Sequence, residues 1–467
     1  MKFLSSVIIL SFFKCICNKL ISFKFNSDIP IYSYESELFQ KLNHNNIYIY
    51  LFIGNPEQAI PLIVKMSSYP LSVIDINEKY IVNTIKFDKE LSNTNLYFVN
   101  QPIKRFTNPD FYDAIKLSDF FYYKNEKGEK INLGRLLFYS MTEVTESFKN
   151  NPQSGVIGLK LRDSDMNIKK GETGPHMDMD SNLVVQLKKN KIINNYVFTI
   201  NYTSFTEGNL IIGEYPHIYD SKNYDFGDFC MIKCAPNRNY SFDFYLDMIE
   251  YGNVKLINED NYYILASLKI ENSLIRPSYI FINEIERTFF EGYVDNEICQ
   301  KIYININQEK CSSYSYVCKG NVNFYFFKNI TFSFKEYNYQ LNLTYEDLFY
   351  YNINDHKYYL LMEFEENSTR ENWILGAPFF RKHLLVFDQE KKIIGFYSDI
   401  NKKKEGNEIQ IKINLNFTII CFSVISFILF LVSLVFIFYL IRIFKKKKII
   451  KRKQKMNEMV DLSEEII

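Results

Sequence analysis

Two stretches of this chain, one in each half, are built on one plan. Tyr48 to Ile53 alternates Tyr, Ile, Leu and Phe, breaks at Gly54-Asn55-Pro56, resumes as Leu62-Ile63-Val64 and ends in Lys65, with Ser68 close behind. Tyr262 to Leu268 is again an apolar run ending in a lysine, Lys269, followed by Ser273-Leu274. Each half later repeats an apolar-apolar-glycine step, Val156-Ile157-Gly158 and Ile374-Leu375-Gly376. Aromatic and branched residues on both sides of a Gly/Pro break make a two-stranded hairpin. A plan repeated once per half argues for a duplicated, two-lobed β structure. A charge at the end of an apolar strand is costly unless it has a partner or a task, so Lys65 and Lys269 are the first residues that need a role.

The intervening sequence supports a β-rich chain. Phe and Tyr are abundant and Gly and Pro scarce, which favours strands. Ile74–Phe148 alternates in short apolar and polar runs with turns at Asn108-Pro109 and Asn125–Gly128, predicting antiparallel sheet. Ser154–Leu159 reads as a buried strand whose glycines, Gly155 and Gly158, let another backbone pass close. A helix is expected over Leu183–Ile193, a strand over Asn195–Asn201, a helix over Ser278–Glu286 and a hairpin over Asn329–Leu341. His176-Met177-Asp178-Met179-Asp180 has no second ligand group elsewhere, so it reads as a solvated loop and no metal is expected.

Both ends of the chain carry membrane signals. Residues 1–17 have Lys2, an apolar run over Phe3–Phe13 and Cys15-Ile16-Cys17 as a candidate cleavage site, the pattern of a secretory signal. Phe417–Ile441 runs without a charge, long enough to span a hydrocarbon core of about 30 Å. The cluster Arg442, Lys445–Lys448 and Lys451–Lys453 follows it. Basic residues stay cytoplasmic, so the N-terminal part is expected on the lumenal or extracellular side of a single-pass membrane of the secretory pathway or cell surface. Net charge is +1, which gives no case for a nucleic-acid partner over the chain as a whole. An oxidising compartment favours a disulfide within Cys299, Cys311 and Cys318, with the pairing open. Asn201, Asn239, Asn329, Asn342, Asn367 and Asn416 begin glycosylation sequons.

In their order along the chain, these motifs resemble the pepsin-like aspartic proteases. The match runs over about Ile47–Tyr397. It includes the turn with Gly54 and Pro56, the Gly155–Gly158 element, the glycine-containing hairpin Glu207–Tyr215, and the closing signature at Trp373-Ile374-Leu375-Gly376. The resemblance implies a mostly β, two-lobed acid-protease fold on one C-terminal transmembrane helix. The expected organisation is 1–17 signal, 18–46 lead-in, 47–215 first lobe, 216–398 second lobe, 399–416 stalk, 417–441 membrane helix and 442–467 cytoplasmic tail. It also implies that Lys65 and Lys269 stand where the family carries its two catalytic aspartates, with Ser67 and Glu271 at the positions of its loop glycines. Two coupled acids share a proton in that chemistry, and an ammonium group offers only donors.

The expected function is therefore a non-catalytic homologue that binds a peptide or protein in its cleft, without a cofactor. Ser68, Glu271 and Ser273 are candidate cleft residues. Tyr97 and Tyr112 are candidates for a closing hairpin tip, but a core position is the favoured reading for each. Two other readings stand beside it: an active endopeptidase with displaced acids, for which Asp75 and Glu271 are the nearest carboxylates, and an enzyme using a lysine as nucleophile or base.

Overall fold

The computed structural model describes residues 19–27, 47–68, 70–81, 84–97, 111–125, 127–145, 153–160, 181–235, 242–257, 264–305, 313–334, 339–366 and 368–397. The first-half strands are β1 (Ile21–Ser27), β2 (Ile47–Ile53), β3 (Gln58–Lys65), β4 (Leu71–Ile74), β5 (Leu96–Tyr97), β6 (Phe111–Lys124), β7 (Lys130–Val144), β8 (Gly155–Gly158), β9 (Val197–Tyr202) and β10 (Glu207–Ile212). In the second half come β11 (Phe229–Lys233), β12 (Asp243–Leu246), β13 (Met248–Tyr251), β14 (Val254–Ile257), β15 (Ile264–Leu268), β16 (Cys299–Asn305), β17 (Ser313–Lys319), β18 (Ile330–Phe334) and β19 (Tyr339–Leu343). They are followed by β20 (Phe349–Asn352), β21 (Lys357–Leu360), β22 (Phe364–Glu365), β23 (Trp373–Leu375), β24 (Leu385–Asp388) and β25 (Ile393–Tyr397).

The opening hairpin forms in the expected register. β2 and β3 pair antiparallel from Tyr48↔Ile63 to Ile53↔Gln58, around a turn that begins at Gly54 with φ of +82°. That left-handed backbone suits glycine, and a Cβ there would also collide with the Ser92 side chain. The two halves then show the same local architecture. β3 lies parallel to β8, with Lys65 opposite Gly158, and β15 lies parallel to β23, with Leu268 opposite Leu375. Each lysine-bearing strand thus ends beside its own apolar-apolar-glycine strand.

Several expectations need correction. Part of the lead-in is a strand: β1 alternates Ile21, Phe23 and Phe25 into the core and pairs with β10 and β2. The sheet after Ile74 is antiparallel as expected where β6 pairs with β7, but its runs are not short. β6 and β7 are 14 and 15 residues long, and β4 runs parallel to β7. The first helix, α1, covers only Leu183–Lys189, because Asn190 caps it and Lys191 takes a φ of 59°. The helix after the second lysine loop, α2 (Tyr279–Ile285), continues as a π turn over Glu286–Phe290 and a helical turn over Glu291–Asp295. The wider π turn lets the adjacent Phe289 and Phe290 both bury.

The lobes share a sheet. Its order is β11-β25-β24-β9-β10-β1-β2-β3-β8-β4-β7-β6-β5, so the last two strands of the second half are inserted against the end of the first. The boundary at 215 separates lobes in sequence and not in hydrogen bonding. Trp373 is fully buried and meets Phe281 and Phe332 edge-on, with centroids 5.4 and 5.3 Å away. Helix α3 (Ala377–Lys382) follows Gly376 directly.

The disulfide is Cys299–Cys318, a directly opposed pair on β16 and β17; Cys311 lies outside the described residues. Cys230 and Cys234 are unbridged, and burial pushes the Cys234 thiol up to about 12. Among the sequons, Asn329 is exposed, while Asn201 and Asn342 are half-buried in strands. Asn239, Asn367, Asn416 and His176–Asp180 lie outside the described residues, as do the apolar runs at both ends. Among the described residues, no helix is long and apolar enough to cross a membrane.

Gly376 is where the second lobe tolerates least. A Cβ would come within 2.5 Å of the Leu274 carbonyl and closer still to that of Asn272. Gly376→Ala should lower stability by about 2–4 kcal/mol, read as a shift in the denaturant midpoint. A Gly128→Ala control has open space around its Cβ and bears only the cost of its positive φ.

Candidate functional site

The two lysine loops meet. Lys65, half-buried at the end of β3, is followed by a loop stitched to the strand beside it. Leu159 N donates to Lys65 O (2.8 Å), Lys160 N to Ser68 O (3.0 Å) and Gly158 N to Pro70 O (3.2 Å). The second loop repeats this: Lys269 N donates to Leu375 O (3.1 Å), Asn272 N to Lys269 O (3.0 Å) and Ala377 N to Asn272 O (2.7 Å). Between them lies Glu271. Its carboxylate accepts from Met66 N and Ser67 N, both at 3.0 Å. Ser67 and Glu271 stand two residues past their respective lysines, so equivalent positions of the two halves touch directly.

Each of these hydrogen bonds is charge-assisted and contributes about 1.5–3 kcal/mol. They also commit both Glu271 oxygens to holding the first loop. Ser68 is fully buried and its Oγ has no hydrogen-bond partner among the described residues. Ser273 is almost fully buried on the other loop.

A third lysine belongs here. Lys160 follows β8 directly and is half-buried. Burial holds its ammonium below the usual lysine value, with Lys269 adding to the depression and Asp243 opposing it. Lys160, from the first half, therefore feels Lys269 and Asp243, both from the second. Asp243 is largely buried on β12, opposite Ser267 in register. Sequence reasoning overlooked Lys160, although it stands immediately after the Ser154–Leu159 element. The junction thus brings the backbone of the Lys65 loop onto Glu271 and Lys160 within electrostatic reach of Lys269 and Asp243, a neighbourhood rich in donors and suited to an anionic or acceptor-rich group.

Asp75 does not join it. It is fully buried, pairs with Lys89 Nζ at 3.0 Å, and accepts from Ser140 Oγ (2.8 Å) and from Asn77 N (2.9 Å) and Nδ2 (2.8 Å). Burial alone would raise its pKa, but the Asn77, Lys89 and Ser140 hydrogen bonds outweigh this and hold the carboxyl below its usual value. Among the described residues, Asp75 and Glu271 have no hydrogen-bond partner in common.

The tyrosines are also placed differently from a core reading. Tyr97 is 50% exposed and Tyr112 44%. Tyr97 lies on β5, paired with Leu117, and its hydroxyl donates to Glu90 at 3.1 Å. Neither is a core aromatic, and among the described residues neither is hydrogen-bonded to the lysine loops.

A duplicated β architecture with paired strand–loop–glycine units meeting at a junction is the plan of an acid-protease fold. The family model for eukaryotic aspartyl proteases matches residues 48–398. The chain belongs to that family. Comparison with curated proteins gives no match.

Two outcomes follow from this geometry. Glu271→Gln keeps the shape but turns one acceptor into a donor facing a backbone N–H. It should cost about 1–3 kcal/mol in the denaturation midpoint. For Asp75 the folded pKa is depressed, so its stabilisation is full above the unfolded value of about 3.9 and is lost as pH falls through the folded one. Asp75→Asn should thus destabilise by about 3–5 kcal/mol at pH 7, with the gap from wild type closing in acid. A pH series of denaturant melts reads it.

Proposed function

We propose that this chain is a non-catalytic member of the aspartyl protease family, displayed on a membrane, whose cleft binds a peptide or protein through an anionic group. The single observation that carries this reading is the junction itself. Both lysines end the paired strands where the family's acids are expected, and Glu271 is committed to the Met66 and Ser67 amides. Peptide hydrolysis by this fold needs two coupled acids, one taking a proton from water and the other donating one. Lysine side chains cannot share a proton in that way. Asp75 supports no displaced dyad, since its carboxylate is enclosed with Lys89 and Ser140. Display on a membrane rests on the uncharged run Phe417–Ile441 and the basic cluster behind it.

One observation favours a second reading, in which a lysine acts as nucleophile or base. Lys160 has a lowered pKa from burial and from Lys269, and depressed lysines are the reactive ones. Borohydride trapping of a carbonyl compound on Lys160 would favour it; absence of trapping counts against it.

The main reading predicts that the purified full-length chain cleaves no unfolded protein substrate between pH 3 and 6, with or without a pepstatin-type inhibitor. It also predicts selective retention of acidic peptides from a mixed library, reduced about tenfold or more in a Lys65→Gln/Lys269→Gln variant, which corresponds to about 1.4 kcal/mol. Inhibitor-sensitive cleavage by the wild-type chain would restore the protease reading.

A further inference from the structure

A second cationic site lies away from the junction, where α3 meets β9 and β20. A pocket of about 260 Å³ has Phe205, Tyr350, Leu361 and Pro378 in its lining, together with the cations Arg381 and Lys382 and the acids Glu346 and Asp347. Arg381 is half-buried, and its guanidinium lies 3.7 Å from the centroid of the Phe205 ring. Its Nε donates to Phe205 O at 3.1 Å. Its Nη1 is enclosed and has no hydrogen-bond partner among the described residues. No carboxylate among the described residues pairs with it. Burial pulls its pKa down to about 10.

The neighbouring charges are already matched. Lys382 pairs with Asp347 at 3.3 Å, and Asp347 also accepts from Thr344 N (2.8 Å) and Oγ1 (2.9 Å) at the helix start. Glu346 is exposed and accepts from Tyr345 OH at 3.3 Å. Arg381 is left as the cation without a counter-charge, and an enclosed charge without one is costly. The walls are aromatic and aliphatic: the Phe205 and Tyr350 rings stand 4.7 Å apart, with Leu361 fully buried behind them.

We propose that this pocket binds an organic carboxylate with an apolar or aromatic body, its charge on the Arg381 guanidinium and its body against Phe205 and Tyr350. A carboxylate matches the planar guanidinium fork, and a single negative charge is repelled less by Glu346 than a dianion would be. The C-terminus of a peptide ending in an apolar residue and a free aromatic acid share this chemistry.

The test titrates the purified full-length chain with N-acetyl-phenylalanine, its amide, inorganic phosphate, and a short peptide ending in Phe, by calorimetry and thermal shift. The acid should bind and raise the melting temperature. The amide and phosphate should bind at least tenfold more weakly, and the peptide arm separates the two sources of carboxylate by which binds tighter. Arg381→Gln should lose tenfold or more. If that variant fails to fold, Tyr350→Ala takes its place, with a loss of at least threefold. The proposal is overturned if the acid does not bind, if acid and amide bind alike, if phosphate binds as well as the acid, or if the variant that folds leaves affinity unchanged. Loss of acid binding in the Lys65→Gln/Lys269→Gln variant would also overturn it, by placing the acid at the junction.

Discussion

A single carboxylate on two amides ties the halves of this molecule together at their centre. Met66 N and Ser67 N lie just past β3, and without Glu271 these donors would be left at a junction where Lys160 and Lys269 already repel one another. Leaving buried N–H groups unpaired costs about 1–3 kcal/mol each, and repulsion among the lysines would add to it. Glu271 meets both demands, because it accepts twice and carries the opposite sign. A glycine at that position could do neither. The lysines and the glutamate are therefore best understood together: with a lysine two residues before each of the touching positions, an anion at Glu271 holds the two loops apposed.

Much of this was legible from residue order. The lysine at each strand end, the glycine opposite it at Gly158, the glycine at Gly376 and the buried Trp373 all follow from local pattern, because alternation and glycine placement act over a few residues. What could not be read lies in long-range pairing. Ile21, Phe23 and Phe25 alternate plainly, yet β1 becomes a strand only through β10, far along the chain. The insertion of β24 and β25 beside β9 is likewise a matter of topology. Lys160 was overlooked because nothing local marks a lysine after an apolar strand as facing another lobe. Tyr97 and Tyr112 failed as core aromatics because amphipathic rings sit at the surface as readily as inside.

Asp75 shows why proximity in sequence is a poor guide to a catalytic pair. It follows the first loop closely, but its strand carries it away into a closed set of donors: Lys89, Ser140 and Asn77. A carboxylate with three hydrogen-bonding partners and a depressed pKa stays ionised and has no proton to share. It stabilises the first lobe as a charge buried with its counter-ion, an arrangement that is costly to break from one side.

The fold and the chemistry of its cleft rest on different residues here. Close backbone approach at Gly155 and Gly376 is a steric demand; it is indifferent to which charges the loops carry. The parallel pairs β3–β8 and β15–β23 need apolar residues and backbone groups; the first ends at Lys65 opposite Gly158 and the second at Leu268 opposite Leu375, so each lysine enters only at or just past the last paired position. The charges of Lys65 and Lys269 therefore bear on the junction, where Glu271 meets the Met66 and Ser67 amides, and not on the scaffold's packing. Packing of the scaffold and charge at the junction are thus separate demands on this sequence, carried by different residues.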